Sequence, residues 1–195
     1  MQPLADLERL AASARACRAC TGLLPGKPNP VFQVSSTARL LIASQAPGSR
    51  ADASGIPFSD DSGARLREWM GVSLAEFYDR GRIAIVPMGF CYPGKKNGGD
   101  APPRPECARL WRADLLAAMP QVRLTLLVGT YAQAEALGTG RMRDRVRAFR
   151  DVLPDRFPLP HPSWRSRIWM RDNPWFEAEV LPQLRTQVRA ALQPE

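Results

Sequence analysis

Arg39-Leu-Leu-Ile-Ala-Ser44 is the stretch of sequence that decides the fold of this chain. Its interior is an unbroken apolar run, which is typical of a strand buried on both faces of a parallel sheet. Two more runs have the same character, Ile83-Ala-Ile-Val86 and Leu124-Thr-Leu-Leu-Val128, and residues 155–159 form a weaker fourth candidate. Amphipathic segments separate these runs. The alternation predicts an α/β fold, a three-layer α/β/α sandwich around a central four-stranded, mainly parallel sheet.

The segments between the predicted strands have the spacing of helices. A crossover helix follows the polar pair Asp61-Ser62, and a second helix is predicted over 105–119. A third helix follows the third strand over 130–137. Asn173-Pro174 begins a C-terminal helix, which bends near Pro182 because proline lacks the amide hydrogen that a helix interior needs. Ligands of such sheets bind beyond the carboxyl ends of the strands, so we expect the functional residues in the loops that leave them.

Size and composition narrow the class of protein. The chain has 195 residues, of which 45% are hydrophobic and 24% charged. These values are close to globular averages, so we expect a single domain over residues 1–195 with a core of its own. No stretch approaches the ~20 apolar residues of a membrane span, and the first residues lack the apolar region of a signal peptide. We therefore expect a cytoplasmic monomer without a membrane partner.

The charge balance favours an anionic partner. The chain has 27 basic residues against 19 acidic residues, a formal net charge of +8, and all but three of the basic residues are arginines. Guanidinium groups present a planar fork of donors that suits phosphate, so nucleic acid is the expected partner. The same composition also fits a basic surface that only solvates the protein.

The four cysteines form two pairs, Cys17-x2-Cys20 and Cys91-x15-Cys107. A cytosolic chain of this size does not need disulfides, so a four-thiolate metal site is the better interpretation. Both zinc and a [4Fe–4S] cluster accept four cysteines, and the spacing alone does not decide between them. The alternative is that Cys20 and Cys107 are small buried apolar residues.

Two motifs lie where the predicted strands end. Ser44-Gln-Ala-Pro-Gly48 follows the first strand, with Gly55-Ile-Pro-Phe58 shortly after it. His161-Pro-Ser163 follows the last strand and contains the only histidine of the chain. Together with the cysteine pattern, these motifs make the chain resemble the family 4 uracil-DNA glycosylases, the iron–sulfur branch of the uracil-DNA glycosylase superfamily. The resemblance covers about residues 15–165.

The resemblance implies a DNA repair enzyme. Such an enzyme, a monofunctional uracil-DNA glycosylase, flips uracil out of DNA and hydrolyses its N-glycosidic bond to leave an abasic site. The resemblance also favours a structural [4Fe–4S] cluster over zinc at the four cysteines, Cys17, Cys20, Cys91 and Cys107. Three alternatives remain open: a non-catalytic or covalently trapping uracil-DNA binder, a glycosylase for another deaminated base such as hypoxanthine, and an iron–sulfur redox module.

The sequence departs from the family pattern at three places. The first motif begins with Ser44-Gln45 where the family has Gly-Glu, so the family carboxylate is absent there. The base-reading asparagine of the family falls on Pro87, whose side chain cannot form hydrogen bonds with a base edge. Ser59-Asp60-Asp61 places two acids where the family has nonpolar or glycine residues. We therefore expect a divergent class of the superfamily.

The expected catalytic residues follow from the needs of the reaction. Phe58 stacks on the flipped base unless it is an ordinary core residue, and His161 donates to the oxygen of the departing base. Asp60 and Asp52 are the carboxylates expected to position water or stabilise the cationic sugar, with Gln45 assisting. Either carboxylate could instead cap a helix.

DNA contacts are expected from two rigid loops and one basic segment. The residues of the loops are Ala46, Pro47 and Gly48 in the first motif and Ser163 in the last. Their backbone and hydroxyl donors suit phosphate. After His161, three arginines alternate with apolar residues in a loop that suits insertion into the gap left by the flipped base, namely Arg165, Arg167 and Arg171.

Overall fold

A computed structural model describes residues 3–193 of the chain, and its centre is a parallel sheet. The strands are β1 (Leu40–Ala43), β2 (Ile83–Ile85), β3 (Lys95–Lys96), β4 (Gly99–Asp100), β5 (Leu124–Val128) and β6 (Arg156–Leu159). Four of them form one sheet in the order β2-β1-β5-β6, with every pair parallel, so that Leu41 lies between Ala84 and Thr125. β3 and β4 form a separate antiparallel hairpin. The predicted four-stranded sheet is confirmed.

Helices connect the strands and cover the sheet. They are α1 (Pro3–Arg15), α2 (Ser49–Ser54), α3 (Asp61–Met70), α4 (Leu74–Tyr78), α5 (Ala113–Ala117), α6 (Thr130–Leu137), α7 (Met142–Arg147), α8 (Arg165–Arg171) and α9 (Leu181–Leu192). π-Helical turns over Ala108–Arg112 and Phe176–Val180 precede α5 and α9, and a 3₁₀ turn over Phe149–Val152 follows α7. None of the helices within residues 3–193 is long and apolar enough to cross a membrane.

Alternating strand residues separate the two faces of the sheet. Leu40 and Ile42 are fully buried in a cluster with residues of α3, α4 and α9. Leu41 points to the opposite face and packs in a cluster with α1 and α5, while Ala43 packs near α6. Because side chains alternate along a strand, each strand contributes to both cores. The result is the expected α/β/α sandwich.

The predicted helices are present, with local adjustments. α3 begins at Asp61, and Asp60 caps it. The C-terminal helix contains a π-helical turn directly before Pro182, where proline supplies no amide hydrogen to the helix. Residues 165–171, which the sequence suggested were a loop, form the short helix α8. The carbonyl of Ser163 accepts from the amide and the hydroxyl of Ser166, at 3.0 and 2.6 Å, and these bonds begin the helix.

The sequence did not predict α1 or the β3–β4 hairpin, nor the short helices α2 and α4. α1 packs Leu7, Ala11 and Ala14 into the core next to β1 and α5. The β3–β4 hairpin turns at Asn97 and Gly98, both at positive φ, which is the sequence signature of a tight hairpin turn. This hairpin lies at the mouth of the cleft described below.

Candidate active site

A cleft of about 610 Å³ opens beyond the carboxyl ends of the central strands. Its wall combines the loop after β1, the start of α3, the β3–β4 hairpin and the segment after β6. Most of the residues predicted to act on the base meet here, which the parallel topology explains because these strand ends share one edge of the sheet. The predicted residues on the wall are Gln45, Ala46, Pro47, Gly48, Phe58, Asp60, His161, Ser163 and Arg165.

Phe58 is held in an unusual backbone conformation. Its φ is +56°, in the left-handed region that non-glycine residues rarely adopt. The Tyr78 hydroxyl lies 3.0 Å from the carbonyl oxygen of Pro57 and 3.1 Å from that of Phe58, and it donates to them. The first turn of α3 approaches so closely that a Cβ on Gly63 would lie 1.8 Å from the Phe58 carbonyl oxygen. These contacts fix the half-buried Phe58 ring on the wall of the cleft.

His161 lies just beyond β6, against the backbone of Gly129. A Cβ on Gly129 would lie 3.4 Å from the His161 Cβ, and Gly129 also has a φ of +85°, so glycine is the residue that fits there. Burial lowers the pKa of His161, an effect that the nearby carboxylates of Asp60 and Asp100 oppose. The imidazole is therefore neutral at pH 7, with one ring N–H available to donate.

The segment after His161 is anchored by α3. The Arg65 guanidinium donates to the carbonyl oxygens of Pro162 and Ser163, at 3.1 and 2.6 Å. The Ser163 amide donates to the His161 carbonyl at 2.9 Å, which makes a tight turn. Arg65 is a residue that the sequence analysis missed, because its partners are backbone carbonyls that leave no mark in the sequence. The arrangement fixes His161 and Ser163 relative to Phe58.

The first motif is fixed by backbone bonds to the loop after β2. The carbonyls of Ser44 and Gln45 accept from the amides of Met88 and Gly89, at 2.7 and 3.0 Å. The Gln45 side-chain amide donates to the Ala101 carbonyl at 3.0 Å, directly after the hairpin. Gln45 therefore holds the hairpin against the cleft, and its amide oxygen is the atom that can accept from water. Pro87 also lies on the cleft wall.

The two predicted carboxylates have different positions. Asp60 lies on the cleft wall, and its Oδ1 accepts from the Gly63 amide at 3.0 Å, so it is also the cap of α3. Asp52 lies in the first turn of α2 and is not part of the wall. The backbone carbonyl of Asp52 accepts from the Asn29 side chain at 2.7 Å. The structure thus brings Asp60 to the cleft and leaves Asp52 outside it.

A third carboxylate, Asp100, was missed by the sequence analysis. It lies at the end of β4 on the cleft wall, and the Lys95 ammonium donates to its Oδ1 at 2.6 Å. This bond and the acidic partner raise the pKa of Lys95. The Asn97-Gly98 turn was the feature of the sequence that could have placed Asp100 opposite Lys95 in a hairpin.

The three predicted DNA-binding arginines do not lie together. Arg165 is on the cleft wall, donates to the Gly98 carbonyl at 3.1 Å and packs over the ring of Trp164. Arg167 and Arg171 instead line a second groove, of about 860 Å³, between α3, α8 and the C-terminal helix. Trp164 is 65% exposed, so an aromatic side chain projects at the mouth of the cleft.

The four cysteines line one small pocket on the opposite side of the loop after β2. All are free thiols, and three of them are buried. Burial raises the pKa of Cys91 to about 12 and also raises those of Cys20 and Cys107. Within residues 3–193, no group of three or more His, Cys, Asp or Glu side chains has the geometry of a site for one metal ion. The four sulfurs on the wall of the pocket come from three separate segments of the chain.

A family model matches most of this chain, and one solved structure is similar to it. The family model described as the uracil DNA glycosylase superfamily matches residues 31–185, which include both motifs and all four strands of the central sheet. A solution structure from Methanosarcina acetivorans, of a candidate uracil DNA glycosylase, is similar at 14% identity with a TM-score of 0.46. The match covers 81% of this chain and 98% of that one. On the family match, which spans well over half of its length, this chain belongs to the uracil DNA glycosylase superfamily.

Proposed function

We propose that this protein is a monofunctional uracil-DNA glycosylase, which hydrolyses the N-glycosidic bond of a flipped uracil and leaves an abasic site. One observation carries the proposal. A constrained aromatic ring (Phe58), a neutral, half-buried imidazole (His161) and a carboxylate (Asp60) face one cleft at the carboxyl end of the sheet. These are the three groups that capture of a base, stabilisation of the leaving group and positioning of water require.

The chemical step divides between these residues. A water oxygen forms a bond to C1′ of the sugar as the bond between C1′ and the base nitrogen breaks. The bonding electron pair leaves with the base, and the His161 N–H donates to the base oxygen on which negative charge develops. The proton of the water passes to a carboxylate, for which Asp60 is suitable because it lies on the cleft wall. Phe58 stacks on the extruded base and holds it during the reaction.

DNA binding is supported by the surface around the cleft. The net charge of +8 attracts the phosphate backbone, and Arg165 at the cleft mouth is suited to a phosphate contact. The exposed Trp164 ring is next to Arg165 and is suited to stack in the space left by the flipped nucleotide. Arg167 and Arg171 lie further along the surface, so we propose that they contact the flanking strand rather than the flipped nucleotide.

The base that the protein prefers depends on which groups of the cleft form hydrogen bonds with the base edge. Pro87 lies on the cleft wall where the family pattern leads us to expect an asparagine, so the base edge must be read by other groups. Hypoxanthine is therefore the second candidate base. It is a larger base than uracil, and a cleft of about 610 Å³ is large enough for either.

We further propose that Cys17, Cys20, Cys91 and Cys107 hold a [4Fe–4S] cluster. The support is that four sulfurs line one pocket, which suits soft metal centres, and that thiols become thiolates when they bind such a centre. If bound there, the cluster would cross-link the segment after α1, the loop after β2 and the residues just before the π-helical turn that leads into α5. Iron and sulfide analysis of protein purified without oxygen tests this proposal, and a zinc-only protein with full stability contradicts it.

Base release from defined oligonucleotides tests the function. The substrates carry uracil or hypoxanthine at one position, in single and double strands, and the reaction is run with enzyme in excess. We expect free uracil, together with strand breaks that form only after alkali treatment. A His161→Ala variant is the matched control for contaminating glycosylase. DNA binding without base release indicates a non-catalytic binder, and a denaturation-resistant protein–DNA adduct indicates covalent trapping.

A further inference from the structure

We infer that Asp100 is a second catalytic carboxylate of this cleft, and that the attacking water lies between Asp100 and Asp60 beside Gly48. This inference rests on the proposed glycosylase function and adds to it a residue outside both motifs. Asp100 lies on the β3–β4 hairpin, in the stretch of sequence between Cys91 and Cys107.

The two carboxylates are anchored in the same way. Asp60 Oδ1 accepts from the Gly63 amide at 3.0 Å, and Asp100 Oδ1 accepts from the Lys95 ammonium at 2.6 Å. In each case one oxygen is already bound to a donor, a backbone amide for Asp60 and a lysine ammonium for Asp100. The second oxygen, Oδ2, remains as the acceptor that faces the cleft.

The two Oδ2 atoms converge on Gly48 of the first motif. A Cβ on Gly48 would lie 3.6 Å from Asp60 Oδ2 and 3.9 Å from Asp100 Oδ2. Both oxygens are therefore within 4 Å of one point, and glycine leaves that point free of side-chain atoms. A water in the space beyond this point, in contact with Gly48 and between the two oxygens, can donate one hydrogen towards each carboxylate.

Such a water is well oriented for attack. When both of its hydrogens are held by acceptors, its lone pairs point away from them, towards the sugar. Both carboxylates also act on His161, since each raises the imidazole pKa against the effect of burial. The two negative charges are thus close to the group that holds the base, where they stabilise the positive charge that develops on the sugar.

The pair of carboxylates, Asp60 and Asp100, also explains how the first motif can lack a carboxylate of its own. Gln45 stands where the family has a carboxylate, and its amide nitrogen is committed to the Ala101 carbonyl, one residue after Asp100. The same bond therefore fixes the end of the hairpin that carries Asp100. Arg165 supports the other side of the hairpin through the Gly98 carbonyl. The hairpin is in this way tied to both ends of the cleft, which positions Asp100 opposite Asp60.

The test compares single-turnover rates of uracil release for four proteins: the wild type, Asp100→Asn, Gly48→Ala and Asp144→Asn. Asp100→Asn removes the charge and keeps the shape, and we expect a loss of about 10²-fold with little change in DNA affinity. Gly48→Ala adds a methyl group at an ordinary contact distance, with a φ of −80° that alanine accepts, and we expect a similar loss because the methyl displaces the water. Asp144→Asn, on the exposed α7, changes the net charge equally and controls for electrostatics.

A double variant separates a shared water from two independent roles. If Asp60 and Asp100 hold the same water, Asp60→Asn combined with Asp100→Asn loses less activity than the product of the two single losses. Melting temperatures show whether the hairpin remains folded, and Gly48→Ala gives an independent result if Asp100→Asn is destabilised. A wild type that releases no base overturns both this inference and the proposed function. An active wild type with Asp100→Asn and Gly48→Ala rates within about threefold of Asp144→Asn overturns this inference alone.

Discussion

Gly63→Ala is expected to slow base release, because the added methyl group displaces Phe58 from within α3. The added Cβ would lie 1.8 Å from the Phe58 carbonyl oxygen, 2.7 Å from its carbonyl carbon and 2.8 Å from its Cβ. Contacts under 3.0 Å are not tolerated, so the Phe58 backbone or the first turn of α3 must move by roughly 1 Å. Phe58 has no low-energy path for this movement, because its φ of +56° is already fixed by its neighbours.

The size of the effect can be estimated from these contacts. Overpacking of this kind costs about 1–3 kcal/mol, and breaking the Tyr78 hydrogen bond to the Phe58 loop adds about 1 kcal/mol. We therefore expect the free energy of unfolding to fall by about 2–4 kcal/mol. A displacement of the stacking ring by about 1 Å is expected to slow base release by about 10²-fold.

The assay combines urea denaturation with single-turnover base release at a temperature where the variant is folded. Gly26→Ala is the matched control, because its φ is not positive and a Cβ there meets nothing within 4 Å. We expect Gly26→Ala to stay within about 0.5 kcal/mol of the wild type. A Gly63→Ala protein with wild-type stability refutes the packing argument. A destabilised Gly63→Ala protein with the wild-type rate refutes the role of Phe58 in holding the base.

Four further predictions follow from the same geometry. His161→Ala lowers the single-turnover rate by about 10²–10³-fold, the loss expected for one oxyanion donor, without weakening DNA binding in a titration. Asp60→Asn slows cleavage by about 10²-fold, whereas Asp52→Asn, outside the cleft, has a smaller effect in the same assay. Cys107→Ser lowers the bound iron and destabilises the fold by about 3 kcal/mol or more, which metal analysis and denaturation measure together. Because burial lowers the pKa of His161 below 6.5, the unfolded chain binds this proton first as the pH falls. The melting temperature should therefore decrease as the pH falls below about 6.5, and less so in a His161→Gln protein.

Residues buried on both faces of the sheet made the architecture predictable. β1 and β2 are continuous apolar runs and β5 is interrupted only by Thr125, because parallel strands between two layers of helices have no polar face. α1 was missed because two of the three residues that it buries on this face are alanines, Ala11 and Ala14, which give a weak apolar stripe. α8 was missed because the Ser163 carbonyl, which begins it, accepts bonds that the sequence does not display.

The candidate site was predictable where a motif carried it and not elsewhere. Phe58 and His161 came from motifs, and the structure places both on the cleft wall. Asp100 was missed because its hairpin has strands of only two residues, which are too short for a hydrophobic pattern. Its position depends on long-range bonds from Gln45 and Arg165 to backbone carbonyls. Such bonds are set by the tertiary fold, and no local pattern predicts them.

The products of single-turnover base release test the central claim, hydrolysis by a positioned water, most directly. Enzyme in excess is mixed with uracil-containing oligonucleotide, the reaction is stopped at short times, and the products are reduced with borohydride and analysed by mass spectrometry. The account predicts free uracil and an abasic oligonucleotide that carries a reduced C1′ alcohol and no protein. Uracil that stays attached to the DNA, or a sugar that leaves the reaction joined to the protein, contradicts it.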